Sequence, residues 1–179
     1  IGKVTIINGT QVVVIERHNT LISNFIVQVS RTENNQTQNI RIALCKNVIV
    51  AVAIEIDALT NAVKKLKEVP HIFCDFPLIG TEKFHFPVVV NSFYFNPQTE
   101  RDGIWLKGSG DAEVQANQAI LVQTVSVYEE LISKLSSLGI RELYHVAETK
   151  LPDANEKFFD TEWYKSKIQQ ELRKIVIKT

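Results

Sequence analysis

The sequence predicts an α+β fold in which an antiparallel or mixed sheet packs on long helices. The first half carries strand patterns, among them two apolar stretches joined by Asn8-Gly9, a dipeptide typical of tight β-hairpins. The second half carries two amphipathic helix patterns, over residues 112–138 and 161–175. Because the strand patterns come first and the helix patterns follow, instead of alternating, the α+β class is favoured.

The β half is predicted to be an antiparallel meander of about five strands. The strands are assigned to residues 3–7, 11–16, 25–30, 39–45 and 48–54. Apolar residues at helical spacing in residues 58–68 predict a short helix after the meander. Two apolar stretches follow, residues 72–79 and 84–92, and contain Pro77 and Pro87. Proline removes a ladder donor, so both stretches are predicted to be edge-like or extended segments and not central strands.

Both predicted helices of the second half have recognisable ends. Asp111 and Asp160 stand directly before them, and aspartate is a favoured N-cap residue. Gly139 follows the first helix, where glycine is the usual C-terminal stop. We therefore expect one α+β domain in residues 1–150, with a linker and a C-terminal helix in residues 151–179 packed on the same domain.

Composition narrows the possible functions. The chain has 20 Lys and Arg and 20 Asp and Glu, and this zero net charge argues against a nucleic-acid partner. No apolar run approaches the roughly 20 residues that cross a bilayer, and no secretory signal is present, so we expect a cytoplasmic protein without a membrane partner. The first residue is Ile1 and not Met, which predicts an internal piece of a larger protein.

Residues with catalytic potential do not form a complete active site in the sequence. Cys45 and Cys74 lie in apolar stretches without metal-ligand spacing, so we expect two free thiols and no metal site. Gly108-Ser109-Gly110 precedes a helix, which suits an anion site or a plain turn, but the lysine of a P-loop is missing. A hydrolase using His85 with Glu82 or Asp75 is an alternative without a recognisable nucleophile.

Arg101 is the main candidate for a functional side chain. It lies in Thr99-Glu100-Arg101-Asp102-Gly103, within a loop between the β half and the first long helix. An arginine there can reach a phosphate on another domain. It can also form an internal ion pair with Glu100 or Asp102, or simply occupy an exposed turn. The residues alone leave these interpretations open.

Residues 73–106 contain three motifs that bear on this choice. They read FPLIGTE, then F-x-FP, then N-x-T-E-R-D-G-I-x-L with Gln98 as one additional residue. Together they resemble the domain that follows the ATP-binding domain in bacterial, mostly uncharacterised proteins of the GHKL ATPase superfamily, which are related to the ninety-kilodalton heat-shock chaperone. The resemblance covers roughly 35 residues of the chain and extends to the rest only as element order.

The resemblance implies a transducer, or middle, domain with the fold of the second domain of ribosomal protein S-five. ATP and Mg²⁺ would bind an N-terminal nucleotide domain of the same chain, and a client protein or a second copy could be a further partner. Arg101 would contact the γ-phosphate, and Asn96, Gln98 and Thr99 would shape the loop at the nucleotide. The nucleotide-site motifs, including DxGxG, are missing, so the 179 residues would hold no cofactor and show no ATPase activity alone, whereas the parent would be an ATPase. The alternative is a non-enzymatic protein-interaction module.

Overall fold

The computed structural model describes residues 2–8, 11–67, 69–84, 86–108, 111–151 and 159–179. These residues form a nine-stranded mixed sheet and several helical segments. The strands are β1 Lys3–Asn8, β2 Gln11–Ser23, β3 Ile26–Glu33, β4 Gln36–Lys46, β5 Ala51–Asp57, β6 Ala62–Val63, β7 Ile72–Cys74, β8 Phe76–Pro77 and β9 Val89–Asn91. The helical segments are a 3₁₀ turn at Thr81–Phe84, α1 Ala112–Ser137, a 3₁₀ turn at Leu143–Ala147, α2 Thr161–Tyr164, a π-helical segment at Lys165–Gln169 and α3 Gln170–Lys178.

The predicted meander is confirmed, since β1 to β5 pair in sequence order and antiparallel throughout. Asn8 pairs with Gln11 across the predicted hairpin turn, whose residues Gly9 and Thr10 lie outside the described part of the chain. Strands β2 and β4 are longer than predicted. Their added residues are largely polar, and cross-strand bonds such as Thr32–Thr37 at 2.9 Å satisfy them without an apolar pattern.

Beyond β5 the sheet continues in an order that the sequence did not indicate. Strand β9 lies between β5, to which it is antiparallel, and β7, to which it is parallel. The prediction that residues 84–92 hold no central strand is therefore wrong. Pro87 precedes β9 by two residues, so it removes no ladder donor. In the stretch 72–79, Pro77 does lie in the edge strand β8, as predicted, but β7 lies between β9 and β8 and is not an edge strand.

The helix predicted over residues 58–68 is also wrong. The Asp57 carboxylate accepts hydrogen bonds from the backbone N–H groups of Leu59 and Thr60, both at 2.9 Å. This Asx-type turn reverses the chain, and Asn61 completes it in the left-handed region at φ 53°. The chain then returns as β6, which pairs Val63 with Ile56. A local side-chain bond thus overrides the weak helical spacing.

Helix α1 covers the sheet and buries the predicted apolar stripe. It contacts β4, β5 and α3, and Leu121, Tyr128 and Leu135 are fully buried on it. The Tyr128 hydroxyl donates to the Val146 carbonyl at 2.7 Å, which ties the Leu143–Ala147 turn to the helix. Burial raises the pKa of Tyr128, which disfavours loss of the proton that this hydrogen bond uses.

The C-terminal helix is confirmed, with a π-helical segment in its middle. The Asp160 carboxylate accepts the Trp163 N–H at 2.9 Å, which confirms the predicted cap. Tyr164, Ile168 and Leu172 are buried, as their spacing predicted. The α+β class is therefore confirmed, but only α1 is long, with 26 residues. Among the described residues no helix is long and apolar enough to cross a membrane.

The two helix-start aspartates allow a matched stability test. Asp160 makes a side-chain cap bond, whereas Asp111 stands at the N-cap of α1 without one. We expect Asp160→Ala to lower the free energy of unfolding by about 1 kcal/mol, because the Trp163 N–H loses its acceptor. Asp111→Ala should lower it by only about 0.3 kcal/mol through the helix dipole. Urea denaturation of both variants measures this, and equal losses would contradict the capping assignment.

Candidate functional site

The loop that carries Arg101 connects β9 to α1 and is closed at its base. Pro97 and Ile104 form an isolated antiparallel bridge. The Gln98 N–H donates to the Gly103 carbonyl at 2.9 Å, and the Arg101 N–H donates to the Gln98 carbonyl at 2.9 Å. Residues 96–106, which we call the Arg101 loop, therefore form a tight turn with a defined backbone path.

A single side chain of α1 holds the base of the Arg101 loop. Asn117 is fully buried, and its Oδ1 accepts the Asn96 N–H at 2.8 Å. Its Nδ2 donates to the Asn96 carbonyl at 2.9 Å and to the Trp105 carbonyl at 3.0 Å. Both ends of the loop are thus bonded to one amide, and three backbone groups of half-buried residues are satisfied together.

The β7–β8 hairpin and the turn after it hold the loop from the other side. Gly80 has φ +115°, and a Cβ built there would lie 2.9 Å from the Asp102 carbonyl oxygen. Only glycine permits this approach and this backbone conformation. Thr81 is fully buried, and its Oγ1 accepts the N–H groups of His71 and Ile72, both at 3.1 Å. The turn that touches the loop is therefore itself fixed.

Arg101 is exposed and has an unusual backbone conformation. Its φ of 55° lies in the left-handed region, which disfavours an L-residue by roughly 1–2 kcal/mol. The guanidinium Nη2 donates to the Cys74 carbonyl at 3.0 Å. Within the described part of the chain no carboxylate lies within ion-pair distance of it, so the pairs with Glu100 and Asp102 are not formed there.

The other predicted loop residues have different surroundings. Asn96 is half-buried and bonded through its backbone to Asn117. Gln98 is buried, and its Nε2 has no hydrogen-bond partner among the residues that are described. Thr99 is exposed at the corner of the turn. The structure thus places Thr99 and Arg101 at the surface, whereas Gln98 faces the interior.

Four large apolar side chains are exposed on the segments that hold Arg101. We call them the apolar rim: Phe76, Ile79, Phe93 and Tyr94, with exposed fractions of 72%, 66%, 67% and 59%. Phe76 follows the Cys74 carbonyl by two residues, and Ile79 precedes Gly80, which touches the loop. Phe93 and Tyr94 precede Phe95, whose carbonyl accepts the Cys74 thiol at 3.4 Å. If these four side chains form one contiguous surface, that surface is of the kind that binds partners.

The structure describes only some of the other residues that the sequence suggested for catalysis or metal binding. Cys45 and Cys74 are free thiols, and burial raises the pKa of Cys45. Among the described residues no group of three His, Cys, Asp or Glu side chains could hold a metal ion. His85, Ser109 and Gly110 lie outside the described residues, and with them the proposed hydrolase pair and most of the Gly108-Ser109-Gly110 turn.

Comparison with models of protein families, with curated proteins and with solved structures finds no match for this chain. The resemblance carried by residues 73–106 therefore stays a prediction from the motifs, and function has to be argued from the site.

The sequence predicted the position of the Arg101 loop but not the residues that hold it. Asn117 lies three residues after Val114 and four before Leu121, on the buried face of α1. A polar residue within an apolar stripe is the signal that could have identified it. Gly80 and Thr81 belong to the FPLIGTE motif, but nothing in their spacing indicated that Gly80 would contact Asp102 or that Thr81 would bond to His71 and Ile72.

The Asn117 amide is expected to be critical for stability. Asn117→Ala removes three hydrogen bonds and leaves backbone groups of Asn96 and Trp105 without their partner, so the free energy of unfolding should fall by about 3 kcal/mol. The neighbouring Gln118→Ala removes one bond of 3.2 Å to Leu106 from a half-buried site and should lower it by about 1 kcal/mol or less. Chemical denaturation compares the two. A similar loss for both variants would show that the Asn117 amide has no special role.

Proposed function

We propose that this chain is an internal coupling domain of a chaperone-like ATPase. In this proposal an N-terminal nucleotide domain binds ATP and Mg²⁺, and Arg101 contacts the γ-phosphate across the domain interface. The observation that carries the proposal is an exposed arginine, without a carboxylate partner among the described residues, held at a strained backbone position. Strain of this kind concentrates at functional sites, because surrounding contacts must enforce it.

The geometry of Arg101 suits contact with a phosphate. One guanidinium nitrogen is bonded to the Cys74 carbonyl, which limits the rotamers of the side chain. An arginine that is already oriented loses less entropy when it forms further bonds. A guanidinium that reaches a transferring phosphoryl group stabilises the charge spread over its oxygens, the role of an arginine finger.

The S-five-like fold belongs to the same proposal. Its crossover connects parallel strands, and β7 and β9 are the parallel pair of strands within the described residues. The connection between them contains β8 and the 3₁₀ turn Thr81–Phe84 instead of an α-helix, whereas α1 follows β9. The proposal therefore requires a variant of that fold in which the helix that covers the sheet, α1, follows the second parallel strand and is not part of the crossover.

Domain movement would link hydrolysis to a conformational cycle. The apolar rim lies on the segments that contact or directly precede the Arg101 loop, so a nucleotide domain that docks on the rim would also reach the guanidinium. Opening of this interface after hydrolysis would then depend on loss of the γ-phosphate contact. A client protein or a second copy of the chain would respond to this movement.

A non-enzymatic interaction module is the second candidate, and the apolar rim favours it. Its four exposed side chains could bind a separate protein without any nucleotide. The two candidates differ in what Arg101 does. In the first it acts on the phosphate, and in the second it is a polar group at the edge of a protein interface.

The direct test is ATPase turnover of the full-length protein that contains this chain, with nucleotide affinity measured in parallel. Arg101→Ala should reduce turnover on the order of tenfold or more with near-normal nucleotide binding, because a transition-state contact is lost. Arg101→Lys should recover little of the turnover that Arg101→Ala loses, since the planar guanidinium fork is replaced by the point charge of an ammonium group. Arg31→Ala is the matched control, because Arg31 is an exposed arginine paired with Glu33 on the β3–β4 hairpin.

Unchanged turnover of Arg101→Ala would contradict the coupling proposal. The interaction-module hypothesis would then predict a different result for the same protein. Phe76→Ser and Phe93→Ser would weaken binding of a partner protein, whereas nucleotide would have no effect on that binding.

A further inference from the structure

A second region of the molecule, which contains none of the residues of the Arg101 loop, forms a cavity of about 1000 Å³. Its walls come from the segment after β6, the Leu143–Ala147 turn with the residues that follow it, and α3. Leu66, Phe86 and Pro87 contribute apolar surface. Cavities of this size are large enough for a small organic molecule.

The cavity is cationic although the whole chain is neutral. Among the described residues, its lining contains four side chains that are positive at neutral pH and two carboxylates: Lys65, Lys67, Lys150 and Arg173, with Glu82 and Glu148. Each carboxylate already has a bond inside the protein. Glu148 pairs with Lys65, and Glu82 accepts the Gly80 N–H at 2.9 Å.

Glu148 forms an ion pair with Lys65, and this pair lowers the pKa of the Glu148 carboxyl. The hydrogen bond from Lys65, followed by that from His145, holds the pKa of Glu148 below its usual range. Lys65 is therefore neutralised by Glu148 at neutral pH. Lys67, Lys150 and Arg173 have no carboxylate within ion-pair distance in the described part of the chain. A local surplus of positive charge remains for a ligand.

One buried polar group in the wall of the cavity has no hydrogen-bond partner in the part of the chain that the structure describes. Thr149 lines the cavity and is 4% exposed, and its Oγ1 makes no hydrogen bond to any described residue. Its backbone carbonyl, in contrast, accepts from Arg173 Nη2 at 2.9 Å and from Gln169 Nε2 at 3.2 Å. These bonds place the Arg173 guanidinium beside Thr149. A ligand atom that reached this hydroxyl would satisfy it, and leaving it unsatisfied costs about 1–3 kcal/mol.

We propose that this cavity binds a small organic phosphate. The phosphate would accept hydrogen bonds from the Arg173 guanidinium and the Thr149 hydroxyl, with Lys67 and Lys150 providing further positive charge. Arginine forks and lysine point charges are the usual protein partners of phosphate oxygens. The organic part of the ligand would lie on the apolar wall at Phe86 and Pro87. This inference rests on residues that the coupling proposal does not use.

The test is calorimetric titration of the 179-residue chain with phenyl phosphate, a small phosphate ester with a ring. Inorganic phosphate and benzoate serve as comparison ligands. We expect saturable binding of phenyl phosphate that is at least about tenfold tighter than either comparison, because the proposed site recognises both the dianion and the ring. Binding of benzoate with equal affinity, or no saturable binding of phenyl phosphate at millimolar concentration, would overturn the proposal.

Two variants link the binding to the named residues. Arg173→Ala should weaken phenyl phosphate binding on the order of tenfold, since a charge-assisted bond is lost. Thr149→Val should weaken it about threefold or more while leaving thermal stability unchanged or higher, because it replaces an unpartnered hydroxyl by a methyl group. Lys178→Ala is the control, an exposed lysine at the end of α3 that does not line the cavity. Equal weakening by Lys178→Ala would indicate general attraction of anions and contradict the assigned site.

Discussion

The described architecture of the candidate site depends on one buried amide. Asn117 lies on the face of α1 that packs toward the sheet, and it bonds the two ends of the Arg101 loop. A buried polar group is stabilising only when all its partners are in place, because the interior offers no water to replace them. The position of α1 on β4 and β5 therefore determines the position of the loop. Arg101 is held at the surface as a result.

The second constraint comes from the β7–β8 hairpin, which closes on the loop from the opposite side. Gly80 permits backbone contact with Asp102, and the Cys74 carbonyl receives the Arg101 side chain. Because both sides of the loop are fixed, the left-handed conformation of Arg101 can be maintained against its intrinsic preference. The exposed apolar rim lies on the β7–β8 hairpin with its following turn and on the residues directly before the loop. A docking partner would thus meet a preformed surface, which reduces the entropy lost on binding.

The sequence predicted the elements that depend on local signals and missed the features that depend on contacts between distant residues. The meander, α1 and the capped C-terminal helix were predicted because alternation, helical spacing and cap residues are local signals. The turn at Asp57 was missed, since a side-chain bond outweighed weak helical spacing. The insertion of β9 between β5 and β7, the Asn117 contacts and the cationic cavity were not predictable, because they join residues distant in the sequence. The motifs gave a hypothesis for Arg101, and only the fold shows what surrounds it.

The most direct measurement of the central claim is native-state hydrogen exchange of the Asn96 amide, read with residue resolution. The account predicts that this N–H, bonded to Asn117 Oδ1 at 2.8 Å, exchanges as slowly as amides in the middle of α1. The exposed Thr99 amide in the same loop should exchange much faster. An Asn96 amide that exchanges at the rate of Thr99 would show that the base of the loop opens independently of α1. It would contradict the claim that the Asn117 amide fixes Arg101.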